Sequence, residues 1–138
     1  MSWTDRYIGI PKVNLGRDWQ GCDCYGLVRL VYAEDLRIPL PTYLGAYADA
    51  DESAEVHQLL GEARTSGSWV RAERPQAFDI VCFRRASMDR HLGVVVDRTL
   101  MLHMPEGHSR IEPWSEGRWS HSLEGVYRHI EMASRGIE

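Results

Sequence analysis

The feature that most constrains this chain is a change of rhythm along it. Early on, the apolar residues Leu27, Leu30, Val31 and Tyr32 recur at helical spacing, while Arg29, Glu34 and Asp35 are left to face water. From residue 79 onward the apolar residues come in short, β-rich runs: Asp79-Ile80-Val81-Cys82-Phe83, then Leu92-Gly93-Val94-Val95-Val96, then Thr99-Leu100-Met101-Leu102-His103. Arg, Ser and Asp turns separate these runs, so they read as adjacent antiparallel strands, the last two joined as a hairpin through Asp97-Arg98. Two weaker strands follow, around Ser109-Arg110-Ile111-Glu112 and Gly125-Val126-Tyr127-Arg128-His129, with Pro113, Gly117 and two tryptophans between them. Helices first and a meander of strands afterwards make an α+β domain, because alternating βαβ units would interleave the two rhythms.

The first helix spans residues 24 to about 36, and Pro39 and Pro41 lie just beyond its end. A second helix is predicted from Asp49 or Asp51 through Val56, Leu59, Leu60 and Ala63. Before residue 24 the turn chemistry is dense, at Gly9-Ile10-Pro11, Leu15-Gly16-Arg17-Asp18 and Gly21, so this segment reads as ordered loop. A chain of 138 residues can bury a core without disulfides or a structural metal, and one domain over 1–138 is expected.

Charge narrows the partners. A net charge of -4, with both signs interspersed, offers no basic face for nucleic acid phosphates. The opening Met1-Ser2-Trp3-Thr4-Asp5-Arg6-Tyr7 has no apolar stretch behind it, so no secretory signal is expected, and no segment approaches a membrane span. Three cysteines, Cys22, Cys24 and Cys82, are an odd number and favour reduced thiols and cytoplasmic synthesis. At least one thiol is then left to react.

Cys24 is the thiol placed for chemistry. At the first turn of a helix, a thiolate is stabilised by backbone N–H groups and the positive end of the helix dipole. In Asp23-Cys24-Tyr25-Gly26-Leu27 a glycine stands inside the helix, where it costs about 1 kcal/mol relative to alanine; a steric reason is expected for it. Downstream, His91 opens the strand from Leu92 and His103 closes the next. A hairpin between these strands makes the two imidazoles neighbours. A cysteine peptidase needs a base within reach of the sulfur and a third polar group holding that base in the correct tautomer. Cys24, His91 and His103 meet that requirement, whereas His57, His108, His121 and His129 have no matching partner and read as solvated or structural.

These residues carry a resemblance. The sequence Asp23-Cys24-x-Gly26-Leu27-Val28, then Phe78-Asp79-Ile80-Val81 leading into Phe83, His91-x-Gly93-Val94 and Met101-Leu102-His103 resembles the NlpC family of cell-wall peptidases. Tyr7-Ile8-Gly9-Ile10-Pro11, the stretch from Gly21 to Tyr32, Leu40-Pro41-Thr42-Tyr43 and Val126-Tyr127-Arg128-His129 are similar to its short phage and prophage members. The resemblance implies a papain-like fold with N-terminal helices packed on a mostly antiparallel sheet. It also implies a triad in which Cys24 attacks, His91 is the base and His103 orients it; the Cys24 backbone N–H, at the helix start and outside the helix's own ladder, is available as an oxyanion donor. The substrate implied is the stem peptide of peptidoglycan, cut between D-γ-glutamyl and diaminopimelyl residues, and the setting a virion tail with tail proteins as partners. Substrate contacts are expected at Asp23, Tyr25 and Lys12. Lys12 stands where members usually carry an aromatic after the Gly-x-Pro turn, Tyr25 where many have Ser, and Phe78 where Gly is common before Asp79.

No cofactor or metal is expected. Cys22-x-Cys24 is too short a spacing for a structural zinc knuckle, and no second close pair of ligands exists. Two other functions use the same fold: a tail-assembly or wall-binding module that keeps only the cleft, and a thiol acyltransferase or deamidase.

Overall fold

The computed structural model describes residues 2–41, 61, 67–85 and 88–135. The helix predicted over 49–63 and His57 lie outside them, apart from Gly61, which is helical. A 3-10 turn, Asp5–Tyr7, leads to a small antiparallel hairpin of β1 (Arg17–Asp18) and β2 (Gly21–Cys22) inside the segment expected to be loop. Helix α1 follows at Cys24–Val31 and continues as a π-helical turn over Tyr32–Leu36. The helix stops before the prolines: Arg37 turns left-handed at φ 59° and its N–H closes on the Tyr32 carbonyl.

The remaining strands are β3 (Trp69–Arg71), β4 (Ile80–Arg85), β5 (Met88–Val95), β6 (Leu100–His103), β7 (Arg110–Pro113) and β8 (Leu123–His129), with α2 (Ile130–Arg135) closing the described chain. All six belong to one antiparallel sheet in the order β3-β8-β4-β5-β6-β7. The meander β4 to β7 is the one expected from the sequence. The last strand instead crosses back to pair with β4 and β3, and β3 was not among the expected strands. Asp79 fixes that return: its buried carboxylate takes two charge-assisted bonds of 2.8 Å from Arg128 on β8.

Apolar side chains cover both faces of the sheet. Ile80, Cys82, Leu92, Val94 and Leu102 pack with Leu27, Val28 and Val31 of α1 in the larger core. Val81, Phe83, Val95 and Met101 alternate to the other side, with Trp114 and Val126. This is an α+β fold in which N-terminal helical segments pack against a mostly antiparallel sheet, as expected.

Candidate active site

Cys24 opens α1, which packs on β5, and is 1% exposed. The residues before it build the helix start. Asp23 is the N-cap: its Oδ1 accepts from the Gly26 N–H at 2.7 Å and from Arg17 at 3.1 Å, and its Oδ2 accepts from the Leu15 N–H at 3.0 Å. The steric reason for Gly26 is equally plain, because a Cβ there would lie 2.1 Å from the Gly16 carbonyl oxygen. The turn containing Gly16 and the first turn of α1, which carries Cys24, therefore interlock backbone to backbone.

The histidines come from the β5–β6 hairpin. His103 lies opposite Gly93, and His91, two residues earlier, falls on the same face. Strand β5 starts earlier than expected, at Met88, so His91 sits within the strand opposite Phe83. The two rings are joined by a 2.8 Å hydrogen bond between His91 Nε2 and His103 Nδ1. Gly93 is what lets them close up: a Cβ at this position would press on Met101 Sδ at 2.7 Å and on the His103 Cβ at 3.3 Å.

A fourth group, absent from the sequence expectation, completes the chain. His103 Nε2 lies 2.8 Å from Glu112 Oε1 on β7. A carboxylate only accepts, so His103 Nε2–H donates to it; the neutral ring then accepts at Nδ1, and His91 Nε2–H is the donor between the rings. This leaves the lone pair of His91 on Nδ1. The network thus selects the tautomer that a base requires. Glu112 was legible only through the register, in which His103 pairs with Arg110 and Met101 with Glu112, placing the carboxylate diagonally across from the ring.

Burial holds both rings in the neutral form. His91 lies well below the usual histidine range, first through burial, then through the nearby His103 and Lys12. His103 is pushed down to about 4 by burial, against the pull of Glu112. Trp119, on a 3-10 turn at Arg118–Ser122, supplies the cover: its ring stacks on His91 at 4.8 Å and 21° and meets His103 edge-on at 5.0 Å.

Beside His91 opens a cavity of about 730 Å³ walled by Lys12, Arg84, Arg110, Arg118 and Trp119, among others. Lys12 links it to the thiol's loop. Its backbone bridges to Cys22, two residues before Cys24, and its ammonium is close enough to disfavour an imidazolium at His91. Of the three expected substrate contacts only Lys12 lines the cavity. Asp23 and Tyr25 are fully buried, the first spent on the helix cap, the second bonded through its hydroxyl to the Pro41 carbonyl with the Arg17 guanidinium 5.4 Å from its ring. They support the site from behind.

No disulfide joins the cysteines, and burial pushes the Cys22 thiol up to about 12. His129 is structural, as expected: buried between Tyr32 and Trp69, it accepts the Glu131 N–H at Nδ1. His108 and His121 are exposed. Among the described residues no three His, Cys, Asp or Glu side chains are grouped to hold a metal ion, and no helix is long and apolar enough to cross a membrane.

A cysteine at a helix start, packed on an antiparallel sheet that carries two hydrogen-bonded histidines, defines a cysteine-peptidase-like fold. Residues 13–128 match the profile of the NlpC/P60 family, and the chain belongs to that family. Solved structures agree on the fold. The NlpC/p60 domain of the peptidoglycan hydrolase SagA superposes with a TM-score of 0.62 at 17% identity, over 91% of this chain and 92% of that one. An NLP/P60 family protein described as similar to lipoprotein, from Staphylococcus aureus, gives a TM-score of 0.64 at 21% identity over 91% of this chain and 39% of its own. An NlpC/P60 family protein from Bacillus cereus gives 0.65 at 20% identity over 89% and 36%. The chain thus spans under half the length of the last two. No curated protein sequence matched it.

Proposed function

We propose that the chain is a cysteine endopeptidase hydrolysing stem-peptide amide bonds of peptidoglycan, at the bond between D-γ-glutamyl and diaminopimelyl residues. The observation that carries this is the oriented relay from Glu112 through His103 to His91, in a family whose solved relatives include a peptidoglycan hydrolase. Cys24 is the nucleophile, His91 the base and His103 the group that orients it, with Glu112 fixing the tautomer of His103. Lys12 borders the substrate, while Asp23 and Tyr25 act through the helix start.

In the forward step the Cys24 thiol proton passes to His91 Nδ1 as the sulfur bonds the scissile carbonyl carbon. The carbonyl oxygen takes up the displaced electron pair beside the Cys24 N–H at the first turn of α1. As the C–N bond breaks, His91 returns its proton to the leaving amine. Water, deprotonated by the same nitrogen, then releases the acyl group and restores the thiol. Because burial keeps His91 neutral at rest, its Nδ1 can take up the proton, and the base is charged only as the bond forms.

The sequence resemblance to short phage-encoded members supports delivery in a virion tail, which immunodetection in purified virions tests. For the activity, reduced enzyme is incubated with purified muropeptides and the products are weighed. Masses for cleavage between D-γ-glutamyl and diaminopimelyl residues, absent with Cys24→Ala, are expected. Cleavage at the muramyl to L-alanine bond would refute the bond choice, and binding without turnover would assign a wall-binding module.

A further inference from the structure

The chain carries a net charge of -4, yet four of its 16 lysines and arginines wall one cavity. Lys12, Arg84, Arg110 and Arg118 surround the space next to His91, and among the described residues Glu106 is the one carboxylate on the same wall. That carboxylate neutralises little. Its side chain is 96% exposed, and it meets the Lys12 ammonium at 3.7 Å, a geometry in which solvent screens most of the attraction.

The cations are also held. The Arg118 guanidinium lies 5.0 Å from the centre of the Trp119 ring, and Arg110 is bonded through Nη2 to the Glu106 carbonyl. Like charges gathered around one space repel one another, so this set of cations favours an occupant of negative charge. The cavity is large enough for one or two residues of a peptide and too small for a folded polymer.

We propose that this cavity is a carboxylate-selecting subsite, in which Lys12, Arg110 and Arg118 bind the free carboxylates flanking the scissile bond. Peptides in which those carboxylates are amidated are then discriminated against. This rests on the peptidoglycan reading above and names the substrate class within it. Planar guanidinium groups suit a carboxylate because they offer paired N–H donors, whereas an amide presents one acceptor and a donor that the arginines repel. The discrimination is therefore electrostatic and weakens with added salt.

The test uses the Cys24→Ala protein and the synthetic tripeptide L-Ala-γ-D-Glu-diaminopimelate, as free acid and with the carboxylates beside the scissile bond amidated. Binding is followed by calorimetry at low and high salt. The free acid should bind at least about tenfold more tightly than the amidated peptide, consistent with charge-assisted hydrogen bonds. Arg118→Gln or Lys12→Gln in that background should shrink the ratio severalfold. Equal affinity for both peptides, a ratio unmoved by both substitutions, or stronger competition by poly(glycerol phosphate) than by the free acid would overturn the proposal. Turnover by the wild-type chain is measured in parallel. Selective binding without turnover would refute the peptidase and leave the subsite standing, and turnover without selectivity would do the reverse.

Discussion

At the scale of single residues, the site depends on where protons sit. Glu112 accepts from His103, His103 accepts from His91, and the lone pair of His91 is left on Nδ1. Removing Glu112 frees the His103 ring to adopt the wrong tautomer. Glu112→Ala is therefore expected to lower kcat by about 10- to 100-fold with little change in KM, in the range found for groups that orient a functional histidine. Glu112→Gln keeps an acceptor and should recover much of that loss. It also removes a charge that favours the imidazolium, so the acid limb of its pH–rate profile should move to lower pH. A merely structural glutamate would leave that limb in place. His91 and His103 were legible in the sequence because one hairpin joins them at a spacing that strand geometry reads directly. Glu112 was not, since its place depends on the length and path of the loop between β6 and β7. Trp119 was hidden for the same reason, in a 3-10 turn without a periodic pattern.

At the scale of elements, the start of α1 and the entry to β4 show backbone geometry overruling local preference. Alanine normally improves an exposed helix interior over glycine by about 1 kcal/mol. At Gly26 the added carbon meets a backbone oxygen at 2.1 Å, so Gly26→Ala is expected to destabilise by about 1–3 kcal/mol and to displace Cys24. Chemical denaturation and activity on muropeptides check both effects; a more stable, fully active variant would contradict the interlock. Phe78 takes the left-handed conformation at φ 74°, where glycine is common in relatives by the sequence resemblance. Its ring stacks on Trp3 at 4.3 Å, and its carbonyl accepts from the Tyr32 hydroxyl at 2.5 Å, contacts that offset part of the strain. The glycine in the helix could be flagged from sequence as a cost needing a cause. The cause lay in a turn ten residues away, and no periodicity reports such a contact.

Across the whole molecule, average charge concealed local charge. The net value of -4 led to the expectation of no basic face, and it hid a cavity walled by four cations. The burial of the histidine pair also has a global cost. In the unfolded chain both rings take up protons as pH falls through about 6.5; in the folded chain they resist, His103 down to about 4. Folding stability is therefore full above about 6.5 and falls as the pH drops toward about 4. Denaturant midpoints should decline over that window, less steeply in His103→Gln, and a flat profile would contradict the burial of neutral rings. The sheet and its meander were legible because alternation repeats along each strand; the return of β8 between β3 and β4 was not, because crossing connections leave no periodic trace. The proposed peptidase requires Cys24 to form a covalent acyl-enzyme with the stem peptide. The most direct measurement is the intact mass of the protein, acid-quenched during turnover of a muropeptide, followed by peptide mapping. An added mass equal to the acyl half of the substrate, carried on the fragment containing Cys24, is expected; turnover with no adduct, or an adduct mapped to Cys22 or Cys82, would contradict the proposed nucleophile.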